Sequence, residues 1–311
     1  MEPKAVRRPL DAAAYAIMLI LCLCWGLQQV AIKLAAPDVT TVMQIAIRSG
    51  FTALVLGVVI IWRDGLAQFR DGSLLPGIGM GVLFTLEFLF IAWALNYTLA
   101  SHVSVFVYTA PIWSALGLHL RLPEERLSRL QWFGVLVAFA GTAVAFLGPG
   151  APSTEASNIL IGDVLALLGG AAWGFTTVVI RTSRMSEAPA AKTLFYQVTV
   201  ACMLLLGVAL VTGATQVRFT PISVLSLGFQ SVIVTLLTFL VWFWLLKRYL
   251  ATRLGIVAFM TPLFGVASAV IVLGEPIDTW FGIGALLVLA GIVIVNGAEL
   301  SAARNRAAAE T

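Results

Sequence analysis

The chain predicts an all-α membrane protein: ten transmembrane helices in two inverted five-helix repeats around a central cavity. The first observation behind this is an internal copy. Ile159 to Gly297 repeats Tyr15 to Gly148, and each copy holds five apolar segments long enough to cross a bilayer. An odd number of crossings makes the second copy enter from the opposite side, the inverted-repeat plan of many secondary transporters. The second observation is composition. Of 311 residues, 60% are hydrophobic and 11% charged, with a mean hydropathy of +0.99, against about 25% charged residues in soluble domains. Such a chain lacks the polar side chains to cover a water-facing surface, so lipid is its main solvent. The third is that basic residues fall almost entirely in alternate loops.

Apolar runs of about 20 residues give spans at Ala13–Leu34, Thr41–Trp62, Leu74–Leu95, Ser101–Leu120, Leu130–Leu147, Asn158–Arg181, Lys192–Thr212, Pro221–Leu246, Thr252–Leu273 and Thr279–Val295. The first repeat, 12–148, is joined to the second, 158–298, by a Pro, Gly and Ser-rich linker at 149–157. Residues 299–311 form a cytoplasmic tail. No soluble domain fits between these segments.

Short cytoplasmic loops are enriched in Lys and Arg. With the N-terminus inside, Lys4, Arg7, Arg8, Arg63, Arg70, Arg121, Arg126, Arg129, Arg181, Arg184, Lys192, Lys247, Arg248, Arg253, Arg304 and Arg306 lie on the inner side, and only Lys33, Arg48 and Arg218 remain towards the outer side. Both termini are therefore expected in the cytoplasm, with the protein multi-pass in a bacterial inner membrane. The basic stretch before the first apolar run reads as the flank of an uncleaved helix, because that run exceeds a signal-peptide core. The net charge of +4 and pI near 9.2 follow from topology and call for no nucleic acid. Cys22, Cys24 and Cys202 fall inside spans and imply no disulfide framework.

The repeat holds residue by residue. Trp25 and Gly26 align with Trp173 and Gly174, and Lys33 aligns with Arg181 at the same offset. A second ungapped offset pairs Phe88 with Phe239, Trp93 with Trp244, Leu99 and Ala100 with Leu250 and Ala251, Pro111 with Pro262, and Glu124 with Glu275. Gly134 and Gly141 match Gly284 and Gly291. Apolar composition produces chance Leu and Ala matches, but not paired Trp, Pro and Glu.

Polar groups mark the inward faces. Trp25, Gln28, Gln29 and Ile32 are spaced i, i+3, i+4, i+7 and share one helix face, as do their mates Trp173, Thr176, Thr177 and Ile180. Amides and hydroxyls facing lipid are costly, so these faces turn toward partners or water. Helix-to-helix hydrogen bonding and a wet cavity are the two readings. Glu87 is the only acidic residue near the middle of a span, and its mate is Thr238. An ionisable group at that depth is a functional-site candidate, with a substrate ammonium or a transported proton as ways to relieve its charge. The bland reading is a protonated Glu bonded to a neighbouring helix. Arg48 is less telling than Glu87, because it lies in the outer third of the second span and can snorkel to the interface. Pro111 and Pro262 sit mid-helix, where each removes a backbone donor; they read as hinges for alternating access or as static kinks. Tyr108 and Phe106 precede the first, Phe259 and Met260 the second.

The paired WG, the mid-helix proline preceded by small and hydroxyl residues, and the Glu shortly after it resemble the EamA-type transporters of the drug/metabolite transporter superfamily. Similarity extends over nearly the whole chain and is greatest to YddG-type exporters of aromatic and other neutral amino acids. The resemblance implies a basket in which spans 1, 3, 4, 6, 8 and 9 surround a central cavity, with 5 and 10 peripheral. A cavity flanked by Trp25, Trp173, Tyr108 and Phe239 suits an apolar or aromatic side chain, while Glu87, Gln28 and Gln29 receive a zwitterionic head and Thr177 adds a hydroxyl.

Other classes fit less well. The glycines at 77, 79, 81, 282 and 284 follow no strand and lead to no GK[ST], so close helix packing explains them. His102 and His119 are the only histidines and sit near helix ends, outside any HExxH pattern. The expectation is a secondary transporter of a small neutral metabolite, not an enzyme, needing no cofactor and driven by a substrate, proton or ion gradient. A nucleotide-sugar or drug exporter is the alternative within transporters, and an intramembrane lipid-modifying enzyme the alternative outside them.

Overall fold

The computed structural model describes residues 11–65, 68–69, 71–121, 127–147, 155–249, 257–258 and 260–309. The expectations on Lys4, Arg7, Arg8, Arg70, Glu124, Arg126, Leu250, Ala251, Arg253, Phe259 and most of the 149–157 linker lie outside the described residues, as does the side chain of Pro111. The described residues form helices α1 (Ala12–Ala35), α2 (Thr41–Asp64), α3 (Leu74–Tyr97), α4 (Ala100–Phe106), α5 (Ala110–Arg121), α6 (Arg129–Leu147), α7 (Glu155–Arg181), α8 (Ala190–Thr212), α9 (Pro221–Gly228), α10 (Phe239–Arg248), α11 (Met260–Leu273) and α12 (Thr279–Ala309). A 3-10 turn, Val107–Thr109, joins α4 to α5, and a π-helical stretch, Phe229–Thr238, joins α9 to α10. Seven segments are long and apolar enough to cross a membrane, and three shorter apolar helices, Arg129–Ala145, Met260–Leu273 and Thr279–Ile294, accompany them.

Local chemistry sets the ends. The Asp11 carboxylate accepts from the Ala14 N–H at 2.8 Å and starts α1. Thr220 and Ser223 form a capping box with Pro221 in the first turn, which starts α9. Gly213 ends α8 in the left-handed region at φ 70°, a conformation that costs a residue with a Cβ. Two boundaries differ from the sequence expectation by more than two residues among the described ones. Helix α7 begins at Glu155, inside the expected linker, and α12 continues to Ala309 through the expected tail. Residues 298–309 are mostly Ala, Glu, Leu and Arg, strong helix formers that prolong a helix past its apolar part.

Packing repeats with the sequence. A methyl at Gly26 would lie 2.6 Å from the Gly265 nitrogen, and one at its mate Gly174 would lie 2.9 Å from the nitrogen of Ser114, the residue that aligns with Gly265. The α6–α12 crossing is its own counterpart: a methyl at Gly141 would sit 2.7 Å from the Gly284 carbonyl, and one at Gly291 2.5 Å from the Gly134 carbonyl. With little hydrophobic drive between helices in lipid, such backbone-to-backbone contact supplies the packing energy.

The connections gather at two ends. At one, Lys33 meets Thr98 and Glu275, Val39 bridges Val217, and the Thr220 hydroxyl donates to Asp38. At the other, Tyr249 donates to Asp11, and Lys192 pairs with Asp71 at 2.7 Å while also donating to the Gln68 carbonyl. The Lys192 ammonium, with Ser73, holds the Asp71 carboxyl well below its ordinary range. The N–H of Ala14 and the Tyr249 hydroxyl lower the Asp11 carboxyl from its ordinary value.

Candidate functional site

A cavity of about 390 Å3 lies within the bundle, and Trp25, Gln28, Gln29, Glu87, Tyr108, Trp173, Thr177 and Phe239 all line it. Helix α1 brings the first three to one face by the spacing noted above. Trp25 is fixed by its indole N–H, which donates to the Thr238 hydroxyl at 2.8 Å, and its ring meets Phe239 at 6.4 Å and Trp242 edge-on at 5.7 Å. Tyr108 and Trp173, one from each repeat, form a T-shaped pair with centroids 5.3 Å apart. Such arrangements match the edge-to-face preference of aromatic quadrupoles.

Tyr108 reaches the cavity because the helix is broken where it sits. Pro111 has no N–H to return to the Val107 carbonyl, and the chain tightens instead, with the Ala110 N–H donating to Val107. That carbonyl is therefore satisfied within the 3-10 turn and not left free. Helix α7 leans on the break through Gly170, where a methyl would lie 2.7 Å from the Thr109 hydroxyl and 2.8 Å from the Phe106 carbonyl. In the second half Pro262 is buried as the third residue of α11.

The cavity is polar at a few points. Glu87 is 6% exposed and Gln29 5% exposed, and neither Glu87 Oε2 nor Gln29 Oε1 has a hydrogen-bond partner among the described residues. Buried polar atoms are normally paired, so these two oxygens are under-bonded for their burial. Thr177 and Thr176 both line the cavity, and their hydroxyls donate to the carbonyls of Trp173 and Ala172 one turn back in the same helix, so these bonds are not helix-to-helix. The repeat is unequal where it matters most. Glu87 presents an unpartnered oxygen, while its mate Thr238 anchors Trp25 and ends a π-helical stretch, a distortion common at functional sites.

Arg48 departs from expectation. It is 2% exposed, with its guanidinium carbon 4.2 Å from the Phe88 ring centroid, so it points into the protein and does not snorkel. Further lining residues missed by sequence are Phe84, Phe88, Ile91, Val107, Thr193, Gln197, Trp242 and Ala258. Thr193 and Gln197 were detectable as an i, i+4 polar pair in an apolar span, and Trp242 as the residue one turn after Phe239. His102 was also missed: it bonds Asp163 at 2.9 Å and stacks on Phe281 at 3.8 Å, joining α4, α7 and α12. The described residues hold no group of three or more metal-ligating side chains.

The family model described as the EamA-like transporter family matches residues 12–147 and again 160–297. An uncharacterized transporter of Archaeoglobus fulgidus is 25% identical over 93% of this chain and 99% of its own length. A probable amino-acid metabolite efflux pump of Salmonella typhimurium is 25% identical, and that of Escherichia coli 24%, each over 89% of this chain and 93% of its own length. One solved protein structure superposes with a TM-score of 0.61 at 19% identity, over 92% of this chain and 98% of that one, a likeness of fold.

Proposed function

We propose that this chain, which belongs to the EamA-like transporter family and is a membrane transporter, exports small neutral metabolites by alternating access, with aromatic and other neutral amino acids as its leading substrates. The observation that carries this reading is the cavity lining: among the described residues it offers aromatic rings from both halves, amides, one carboxylate, and no Lys or Arg. Rings accept an apolar side chain, and Glu87 with Gln28 and Gln29 accepts an ammonium and a carboxylate. A nucleotide sugar would bring phosphates that this lining leaves uncompensated. The names of the Salmonella and Escherichia coli relatives agree with amino-acid export.

The position of the cavity supports loading from the cytoplasm. Its lining reaches Ile180, next to last in α7, and Thr193, in the first turn of α8. That end of the bundle carries Arg181, Arg184 and Lys192, the charges expected on the cytoplasmic side. The opposite end is closed by Lys33, Thr98 and Glu275. In this reading the ten apolar helices form ten crossings of the inner membrane with both termini cytoplasmic. Pro111 and Pro262 are the hinges by which the halves exchange the open end. Export runs down the substrate gradient or is coupled to protons at Glu87.

Purified protein in liposomes should accumulate labelled phenylalanine and threonine in counterflow. Carriage of a nucleotide sugar or a cationic drug with no amino acid carried would overturn the substrate reading. With Cys22, Cys24 and Cys202 replaced, a single cysteine at Asp278 should react with an impermeant reagent from outside the cell and one at Arg184 should not; reversed labelling would overturn the orientation. Replacing Pro111 or Pro262 with Ala should slow turnover about tenfold or more while substrate affinity changes less. Unchanged turnover in the double variant would make both static kinks. Trp173→Ala should weaken phenylalanine competition about fivefold more than threonine competition, since ring contact contributes about 1 kcal/mol. Equal losses would assign Trp173 to packing.

A further inference from the structure

Arg48 is the largest of the fully buried side chains among the described residues, and the cavity as described so far does not involve it. It projects from α2 against α3. Among the described residues, Nε and Nη1 have no hydrogen-bond partner, and no carboxylate lies within ion-pair distance of the group. A guanidinium is a fixed cation with five donors. Burying it unpaired is costly, and the contact with Phe88 recovers part of that cost. Phe88 also lines the cavity. One aromatic side chain therefore touches both a buried, under-bonded cation and the space where a guest would sit.

The next residue on α3, Glu87, presents the complementary deficit: a cavity-lining carboxylate whose Oε2 has no donor. The two groups are near enough to feel each other's charge but do not form an ion pair. We propose that Arg48 recognises the carboxylate of the transported molecule, reached when the Phe88 ring moves aside, while Glu87 takes the ammonium. This rests on the reading that neutral amino acids are carried, and it names the feature that selects them, a zwitterionic head. An amine lacking the carboxylate leaves Arg48 unpaired behind Phe88. A carboxylate lacking the amine leaves Glu87 unpaired. Only a zwitterion answers both deficits, with the amides of Gln28 and Gln29 beside it.

The test compares three probes in proteoliposome competition: phenylalanine, phenethylamine, which lacks the carboxylate, and 3-phenylpropionate, which lacks the ammonium. Wild-type protein should prefer phenylalanine to each. Arg48→Gln should lower the phenylalanine-to-phenethylamine ratio about tenfold or more, the effect of losing a charge-assisted hydrogen bond, and Arg48→Lys should restore part of it. Phe88→Ala, which removes the partition, should retain or raise that ratio. A ratio is independent of how much protein folds, and Arg48→Lys with Phe88→Ala carries the test if the Gln variant does not fold. An unchanged ratio in Arg48→Gln, or a collapsed one in Phe88→Ala, overturns the assignment and leaves Arg48 a packing cation. Wild-type protein that carries none of the three probes overturns the amino-acid reading itself, an outcome distinct from failure at Arg48.

Discussion

Glu87→Gln should give a protein that still exchanges substrate but no longer responds to an imposed pH gradient, while Glu87→Ala should lower neutral amino-acid transport about 10- to 100-fold. Gln keeps the size and one acceptor oxygen of Glu87 and removes its capacity to carry a proton. Ala also removes the acceptor offered to a substrate ammonium. The expectation comes from position and isolation. Glu87 sits in the middle of α3, lines the cavity, and has an oxygen with no donor among the described residues. An intramembrane carboxylate in that condition is relieved by a proton or by a cation that arrives and leaves. Counterflow at matched and opposed pH separates the two. Wild-type transport indifferent to the gradient removes the coupling role, and a fully active Glu87→Ala removes the binding role as well.

Much of this site was legible in the sequence because its signals are local. Trp25, Gln28 and Gln29 share a face by spacing alone, and Glu87 stands out because no other acid lies so deep. The duplication added a second constraint, since Trp173 inherits the environment of Trp25 and both line the cavity. What escaped depends on contacts between distant elements. Depth along α2 suggests that Arg48 can reach water, but only the approach of α3, with Phe88, shows the side chain turned inward. The π-helical stretch before Phe239 carries no proline or glycine cluster to announce it; Gly228 just precedes it. Thr238 is visible as the partner of Glu87, yet its bond to Trp25 spans two helices far apart in sequence. The same holds for His102, whose partner Asp163 belongs to the other repeat.

Glu275 should have the largest structural effect of any single carboxylate. It follows α11 and closes the Lys33 end of the bundle, accepting from the backbone N–H groups of Ala100 and Ser101 at 2.8 and 3.0 Å, from the Ser101 hydroxyl at 2.9 Å, and from Lys33 at 3.1 Å. Lys33 also donates to the Thr98 carbonyl, so one carboxylate ties α1, the start of α4 and the loop before α12 together. Glu275→Ala leaves the N–H groups of Ala100 and Ser101 without that acceptor and Lys33 with only the Thr98 carbonyl, at a cost of about 3 kcal/mol. Thermal unfolding in detergent should fall accordingly, and a cysteine at Ile91 in the cavity lining should become reactive from the outer face. Burial pushes the Glu275 carboxyl up, but the N–H groups of Ser101 and Ala100, then Lys33 and the Ser101 hydroxyl, together hold it below its ordinary value. A depressed folded-state pKa contributes stability that is complete above the ordinary carboxylate value and lost as pH falls through the depressed one. The closure should therefore be indifferent to pH around neutrality and weaken as pH falls below the ordinary carboxylate range. Glu275→Gln, which cannot titrate, should lack that acid-dependent loss. An Ala variant that melts with wild type and leaves the Ile91 position unreactive from outside would show that this end is held by helix packing alone, through contacts such as Gly26 against Gly265.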